Sequence, residues 1–153
     1  MSSFPLSLPP PADNVWGWGV LQENPELLEG DVIHNIVIYL QTRLKYRLDA
    51  GDSNRWIPPR DLMARGEGNC EDTALVALSI LSAAGFPGGI AWYYNSTEGI
   101  GHTVAFVEVK TCCETFVRII DSTAERGVSE WEAEDLASFK ETFGYPQFER
   151  VWG

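Results

Sequence analysis

Cys70 lies inside the run "GEGNCEDTALVALSILSAAGFP" (66–87), where two glycines give way to a nearly all-apolar segment. Asn69 is a good helix N-cap and Asp72 can reach back to it, so the spacing predicts a helix beginning at Cys70. A thiol in that first turn meets outward-pointing N–H groups and the positive end of the helix dipole, both of which favour the nucleophilic thiolate. Glu71 and Asp72 pull the other way, so the chemistry calls for a stronger activator, an imidazolium. The chain has two histidines. His34, beside Ile33 and Ile36 in a helical pattern, reads as a surface or satisfied core residue. His102 follows Gly99 and Gly101 and opens a strand pattern. Asp121 closes the next strand pattern, just before Ser122 and Thr123. If those strands pair antiparallel, both residues fall at the same end of the sheet and nearly opposite each other. A carboxylate there can fix the tautomer and orientation of the imidazole. Cys70, His102 and Asp121 are therefore the candidate catalytic residues, with nucleophilic attack by the sulfur as their chemistry.

The elements that must position them read as follows. Residues 1–13 carry four prolines and are expected to form an extended arm. "NVWGWGV" (14–20) reads as irregular, with Trp16 and Trp18 covering part of the core. A helix is expected over 30–49, from Ile33, Ile36, Val37, Leu40, Leu44 and Leu48, with Asp31 as its cap. Residues 50–60 read as a loop, and Pro58 and Pro59 open a short helix that Gly66 ends. In the Cys70 helix, Leu75, Val76, Leu78, Ile80 and Leu81 point in all directions, so it is expected to be buried on every side. "GGIAWYY" (88–94), "HTVAFVEV" (102–109) and "TFVRIID" (115–121) predict an antiparallel meander. A last helix is expected over about 132–143, and "FERVW" (148–152) as an edge strand. Helices followed by strands give an α+β fold, with N-terminal helices and a buried central helix packed on an antiparallel sheet.

At 153 residues the chain is expected to be a single domain, 1–153, with its core over about 30–125. A hydrophobic fraction of 44% and an aromatic fraction of 12% exclude a disordered class. The net charge of -11 repels phosphate backbones, so nucleic acid is not an expected partner. The N-terminal "MSSFPLSLPPP" has no basic segment and its apolar run is broken by Pro5 and Pro9, so no targeting signal is expected. No run reaches the ~18 apolar residues of a membrane span, so neither is a membrane. A cytoplasmic location follows as the expectation. Three cysteines imply no disulfide framework, and Cys112 and Cys113, in a turn, read as incidental. Nothing in the sequence fixes an oligomeric state.

Three blocks, "GEGNCEDTALVALSILSAAGFP", "GIGHTVAFVEV" and "VRIIDSTAE", resemble the transglutaminase-like superfamily of papain-type Cys-His-Asp enzymes. "WIPPRDLMARGEGNCED" is similar to the run before the cysteine in its microbial branch, which includes transglutaminase-like cysteine proteinases. The resemblance spans about 39–125. It implies a papain-like fold, with Cys70 as nucleophile, His102 as general base and acid, and Asp121 as orienter. It also implies an oxyanion donor upstream of the cysteine, for which Trp56, fourteen residues before Cys70, is the candidate. The sequence departs from the pattern twice. Asn69 stands where the branch often has Asp; since acidic residues flanking the cysteine help bind calcium in the adhesin-cleaving proteinases, no metal or other cofactor is expected. Thr103 stands where many relatives carry an aromatic.

The function expected is that of a thiol-dependent amide hydrolase, a cysteine peptidase or deamidase, or an acyl transferase, acting on a protein or peptide substrate. A non-catalytic protein-binding module on the same fold is the alternative. An acetyltransferase-like use of the same residues would want a cofactor cleft, which a single small domain does not supply.

Overall fold

The computed structural model describes residues 10–47, 56–140, 145 and 147–152. The chain opens with helix α1 (Asn14–Glu23), a 3₁₀ turn (Pro25–Leu28) and helix α2 (Val32–Arg43). Strand β1 (Lys45–Tyr46), helix α3 (Pro59–Arg65) and strand β2 (Glu67–Gly68) lead into the central helix α4 (Cys70–Ala83). Then come β3 (Gly88–Asn95), β4 (Ile100–Lys110), β5 (Thr115–Thr123), β6 (Gly127–Ala133) and β7 (Gln147–Trp152). The last five form one antiparallel sheet in the order β6-β5-β4-β3-β7. The fold is α+β, as the order of sequence patterns predicts.

Every residue of α4 from Cys70 to Leu81 is buried. One apolar layer joins α4, α2 and the sheet through Val76, Ile80, Leu40, Ile90, Ala105 and Ile120. The opposite sheet face carries Tyr93, Val104, Phe106 and Ile119, covered by Leu136, Phe139 and Tyr145. A sheet packed on both faces holds its strand ends still, which is what a side chain that must not wander requires.

Several elements depart from the sequence reading. "NVWGWGV" is helical, with Asp13 accepting from the Trp16 N–H at 3.0 Å. Its glycines reflect a close crossing: a Cβ on Gly17 would lie 2.2 Å from the Ser79 carbonyl oxygen of α4. Trp16 packs against the core, but Trp18 is exposed. The helix expected over 30–49 stops at Arg43, because the next residues pair their backbone with the glycines ahead of Cys70. Lys45 N–H donates to the Gly66 carbonyl at 3.0 Å and Arg47 N–H to that of Gly68 at 2.8 Å. Residues 48–49, most of the loop expected over 50–60 and the arm residues 1–9 lie outside the described residues.

The helix expected over about 132–143 is absent among the described residues. Residues up to Ala133 belong to β6, which pairs with β5 from Thr123↔Gly127 to Val117↔Ala133. Cross-strand pairing overrides the helical spacing of Leu136 and Phe139, which yields one turn capped by Asp135. Residues 141–144 are outside the described set. An ionic cluster fastens α2 to this strand: Arg118 bridges Asp31 and Glu130, and His34 reaches Glu130.

The two α1 glycines should behave oppositely. Gly17→Ala is expected to destabilise the protein by about 2–3 kcal/mol through overpacking against Ser79. Gly19→Ala meets open space and is expected to stabilise by about 0.5–1 kcal/mol. Urea unfolding of the two variants checks this; equal effects would mean that α1 does not cross α4 this closely.

Candidate active site

The start of α4 is built to hold Cys70 still. Asn69 Oδ1 accepts the Asp72 N–H at 3.1 Å, and Asp72 Oδ2 accepts the Asn69 N–H at 3.2 Å, closing the capping box that the sequence predicts. Such a cap is worth about 1 kcal/mol. The Asn69 amide also donates to Glu71 Oε1 at 2.9 Å. The sequence of the preceding turn has its own reason. Gly66 ends α3 with φ 79°, and a Cβ on Gly68 would press to within 2.7 Å of Leu62 and 2.9 Å of Asp72.

His102 and Asp121 meet this helix end from the sheet. The β4–β5 ladder closes with Ala105↔Ile120, so His102 lies three steps and Asp121 one step beyond it. The offset of two puts them on the same face, as a diagonal pair and not directly opposite. His102 Nε2 is 3.1 Å from Asp121 Oδ2. Asp121 Oδ1 accepts the Trp131 indole N–H at 2.8 Å, and Arg126 stands 3.7 Å from Oδ2. With Nε2 committed to the carboxylate, Nδ1 is the ring nitrogen left for Cys70, whose interaction helps raise the His102 pKa. Ser122, the residue after Asp121, reaches the Asn69 carbonyl at 3.5 Å and ties the strand end to the helix start. Cys70 and Asp121 are each 1% exposed and His102 6%.

Burial alone would depress the His102 pKa, since it disfavours imidazolium. The hydrogen bonds and charges of Asp121 and Cys70 outweigh it and hold His102 at about 9, above its ordinary 6.5. Two tyrosines complete the surroundings. Tyr46, half-buried on β1, is pushed up to about 12 by burial, with Cys70, Tyr145 and Glu71 adding to it. Tyr145 rises to about 12 by burial, then Cys70 and Glu98, and its ring stacks on His102 at 6.2 Å. Both phenols thus keep their protons at neutral pH and are hydrogen-bond donors. Trp56, the oxyanion candidate from the sequence, is half-buried and packs against the core.

Sequence reasoning missed Tyr46, Tyr145 and Trp131. Tyr46 is brought in by the parallel pairing Tyr46↔Gly68 between two-residue strands, which leave no periodic signal. Trp131 sits in "VSEWEA", whose alternation was the available clue to a strand. Beside Cys70, the Asn69 amide donates to Glu71 Oε1 and Asp72 Oδ2 accepts the Asn69 N–H.

The profile of the transglutaminase-like superfamily matches residues 20–130, more than half of the chain. This chain belongs to the transglutaminase-like superfamily. Among solved structures, calcium-bound LapG from Legionella pneumophila superposes with a TM-score of 0.50 at 19% identity, over 79% of this chain and 75% of that one. A second LapG structure gives a TM-score of 0.50 at 20% identity, over 74% and 68%. Likeness at this identity establishes the shared fold. Comparison with curated proteins finds no match. No helix among the described residues is long and apolar enough to cross a membrane.

A group whose pKa rises on folding adds stability that is complete below its unfolded value and lost as pH climbs through its folded value. For His102 that window runs from about 6.5 to about 9. Asp121→Asn removes one of the two supports and is expected to lower the His102 pKa by at least about one unit. An NMR titration of ring-labelled histidine reads it; an unchanged pKa would mean that the carboxylate does not support the ring's charge.

Proposed function

We propose that this chain is a thiol hydrolase that cleaves an amide bond in a protein or peptide through an acyl-enzyme on Cys70. The reading rests on one observation: His102, buried, has Nε2 3.1 Å from Asp121 Oδ2, which leaves Nδ1 for Cys70, a residue near enough to help raise the His102 pKa. His102 takes the Cys70 proton, and the thiolate attacks the carbonyl carbon. The oxyanion falls to the Cys70 backbone N–H and one side-chain donor. His102 then gives its proton to the leaving amine, and Asp121 holds the ring's tautomer throughout. A water, deprotonated by His102, releases the acid and restores the thiol. An amine in place of that water would make the same acyl-enzyme a transamidase. A reducing compartment keeps such a thiol active, so the cytoplasm is the proposed location.

For the oxyanion donor, the family resemblance favours Trp56 and the electrostatics favour Tyr46, whose phenol feels the charge on Cys70. A second reading, a binding module, draws support from the 1% exposure of Cys70, which a substrate must overcome.

Alkylation and acylation of Cys70 separate these readings. Iodoacetamide needs only a thiolate, whereas an activated ester also needs the oxyanion donors. Both reagents are expected to modify Cys70, and His102→Ala to slow both. Tyr46→Phe is expected to slow acylation by roughly 10²–10³-fold while leaving alkylation unchanged; the same split in Trp56→Phe instead would assign the donor to the indole. Cleavage of an amide substrate should also decline above about pH 9, where His102 loses the proton it must deliver to the leaving amine. A Cys70 that alkylates no faster than Cys112, and never acylates, would establish the binding module in place of the enzyme.

A further inference from the structure

The hairpin between β4 and β5 ends in Cys112 and Cys113, both exposed and neither in a disulfide. The proposed hydrolysis does not involve them. His102 lies near the start of β4 and these residues beyond its end, roughly 25–30 Å away at ~3.4 Å per strand residue. Their geometry is not that of two incidental surface thiols. Neighbouring side chains on an extended chain point to opposite faces. Here the bend brings both side chains to the same side, sulfur against sulfur.

The turn needs neither sulfur for its own stability. The Thr111 N–H donates to the Glu114 carbonyl at 2.9 Å. The Thr111 hydroxyl oxygen accepts the N–H groups of Cys113 at 3.3 Å and Glu114 at 3.2 Å. Its proton goes to the Glu114 carbonyl at 3.3 Å. The backbone is thus satisfied by one threonine, and the ladder resumes at Lys110↔Thr115. Two thiols are left side by side in solvent, with the Cys112 sulfur holding the Cys113 thiol above its ordinary value.

We propose that Cys112 and Cys113 form a chelating dithiol site for soft, thiophilic ligands that bind through two sulfurs at once. A disulfide is the poorer fit. Consecutive Cα atoms are only ~3.8 Å apart, below the ~4.4–6.8 Å that a disulfide prefers. A larger bridging atom between the sulfurs lengthens the link and relieves that strain. Tetrahedral zinc is a poor fit as well, because no third His, Cys, Asp or Glu among the described residues joins the pair. The ligand class that suits two soft donors and nothing more is a trivalent thiophilic centre carrying its own third substituent.

An organic arsenoxide is the simplest such probe. Its reaction balances without oxidant or reductant: R–As=O and two thiols give R–As(S–)₂ and water. Two S–H bonds and the arsenic–oxygen bond break, two As–S bonds form, both protons leave on the oxygen, and arsenic stays trivalent.

The test is intact mass and affinity with phenylarsine oxide on the full chain. Wild type is expected to take one equivalent and thereby protect two thiols from iodoacetamide. Cys70→Ser should bind unchanged. Cys112→Ser and Cys113→Ser, both at an exposed turn, should each bind at least about 100-fold more weakly, since the second bond is what makes the first effectively intramolecular. Single-cysteine variants that bind as tightly as wild type would overturn the proposal. So would an adduct that vanishes in Cys70→Ser.

Discussion

A histidine that keeps its charge at 6% exposure is the constraint around which this protein is arranged. Burying an imidazolium is unfavourable unless its charge is supported, and here support comes from two places. Asp121 supplies a carboxylate from the end of β5, and Cys70, the first residue of α4, adds its own support to the ring's charge. Neither element can shift without exposing the charge to a cost. That explains the effort spent on positioning: a capping box at Asn69, a Ser122 contact to the helix start, an indole holding the far carboxylate oxygen.

The same logic accounts for the layers. Opposite faces of one sheet do different work. One face carries α4 and the helices that bury it on all sides. The other carries Tyr93, Phe106 and Ile119 and continues into His102 and Asp121. The cysteine therefore comes from the helix layer and its partners from the far face, and they meet at the edge where both layers end. Two tyrosines, Tyr46 and Tyr145, lie near enough for Cys70 to influence both phenols, and Tyr145 stacks on His102.

Much of this was legible because the signals were local. Asn69, Cys70 and Asp72 announce a capped helix within four residues, and an all-apolar run announces its burial. His102 and Asp121 were found as strand ends, and antiparallel pairing then forced them to one end of the sheet. Their offset by two positions was not legible, because register depends on how the hairpin closes. Other features were hidden for the same reason, being set by contacts distant in sequence. Residues 14–20 read as irregular, and Gly17 within them is where two helices touch. Residues 132–143 read as a helix, and Leu136 and Phe139 within them instead cover one face of the sheet. Tyr46 gave no sign at all, since its place follows from pairing with Gly68.

That pairing has a consequence for variation. Residues 45–47 are fastened by two backbone hydrogen bonds to Gly66 and Gly68, immediately ahead of the nucleophilic candidate. Closing the chain between them costs only about 0.6 kcal/mol more for each doubling of its length, so that length can change in evolution while the two backbone hydrogen bonds ahead of Cys70 persist.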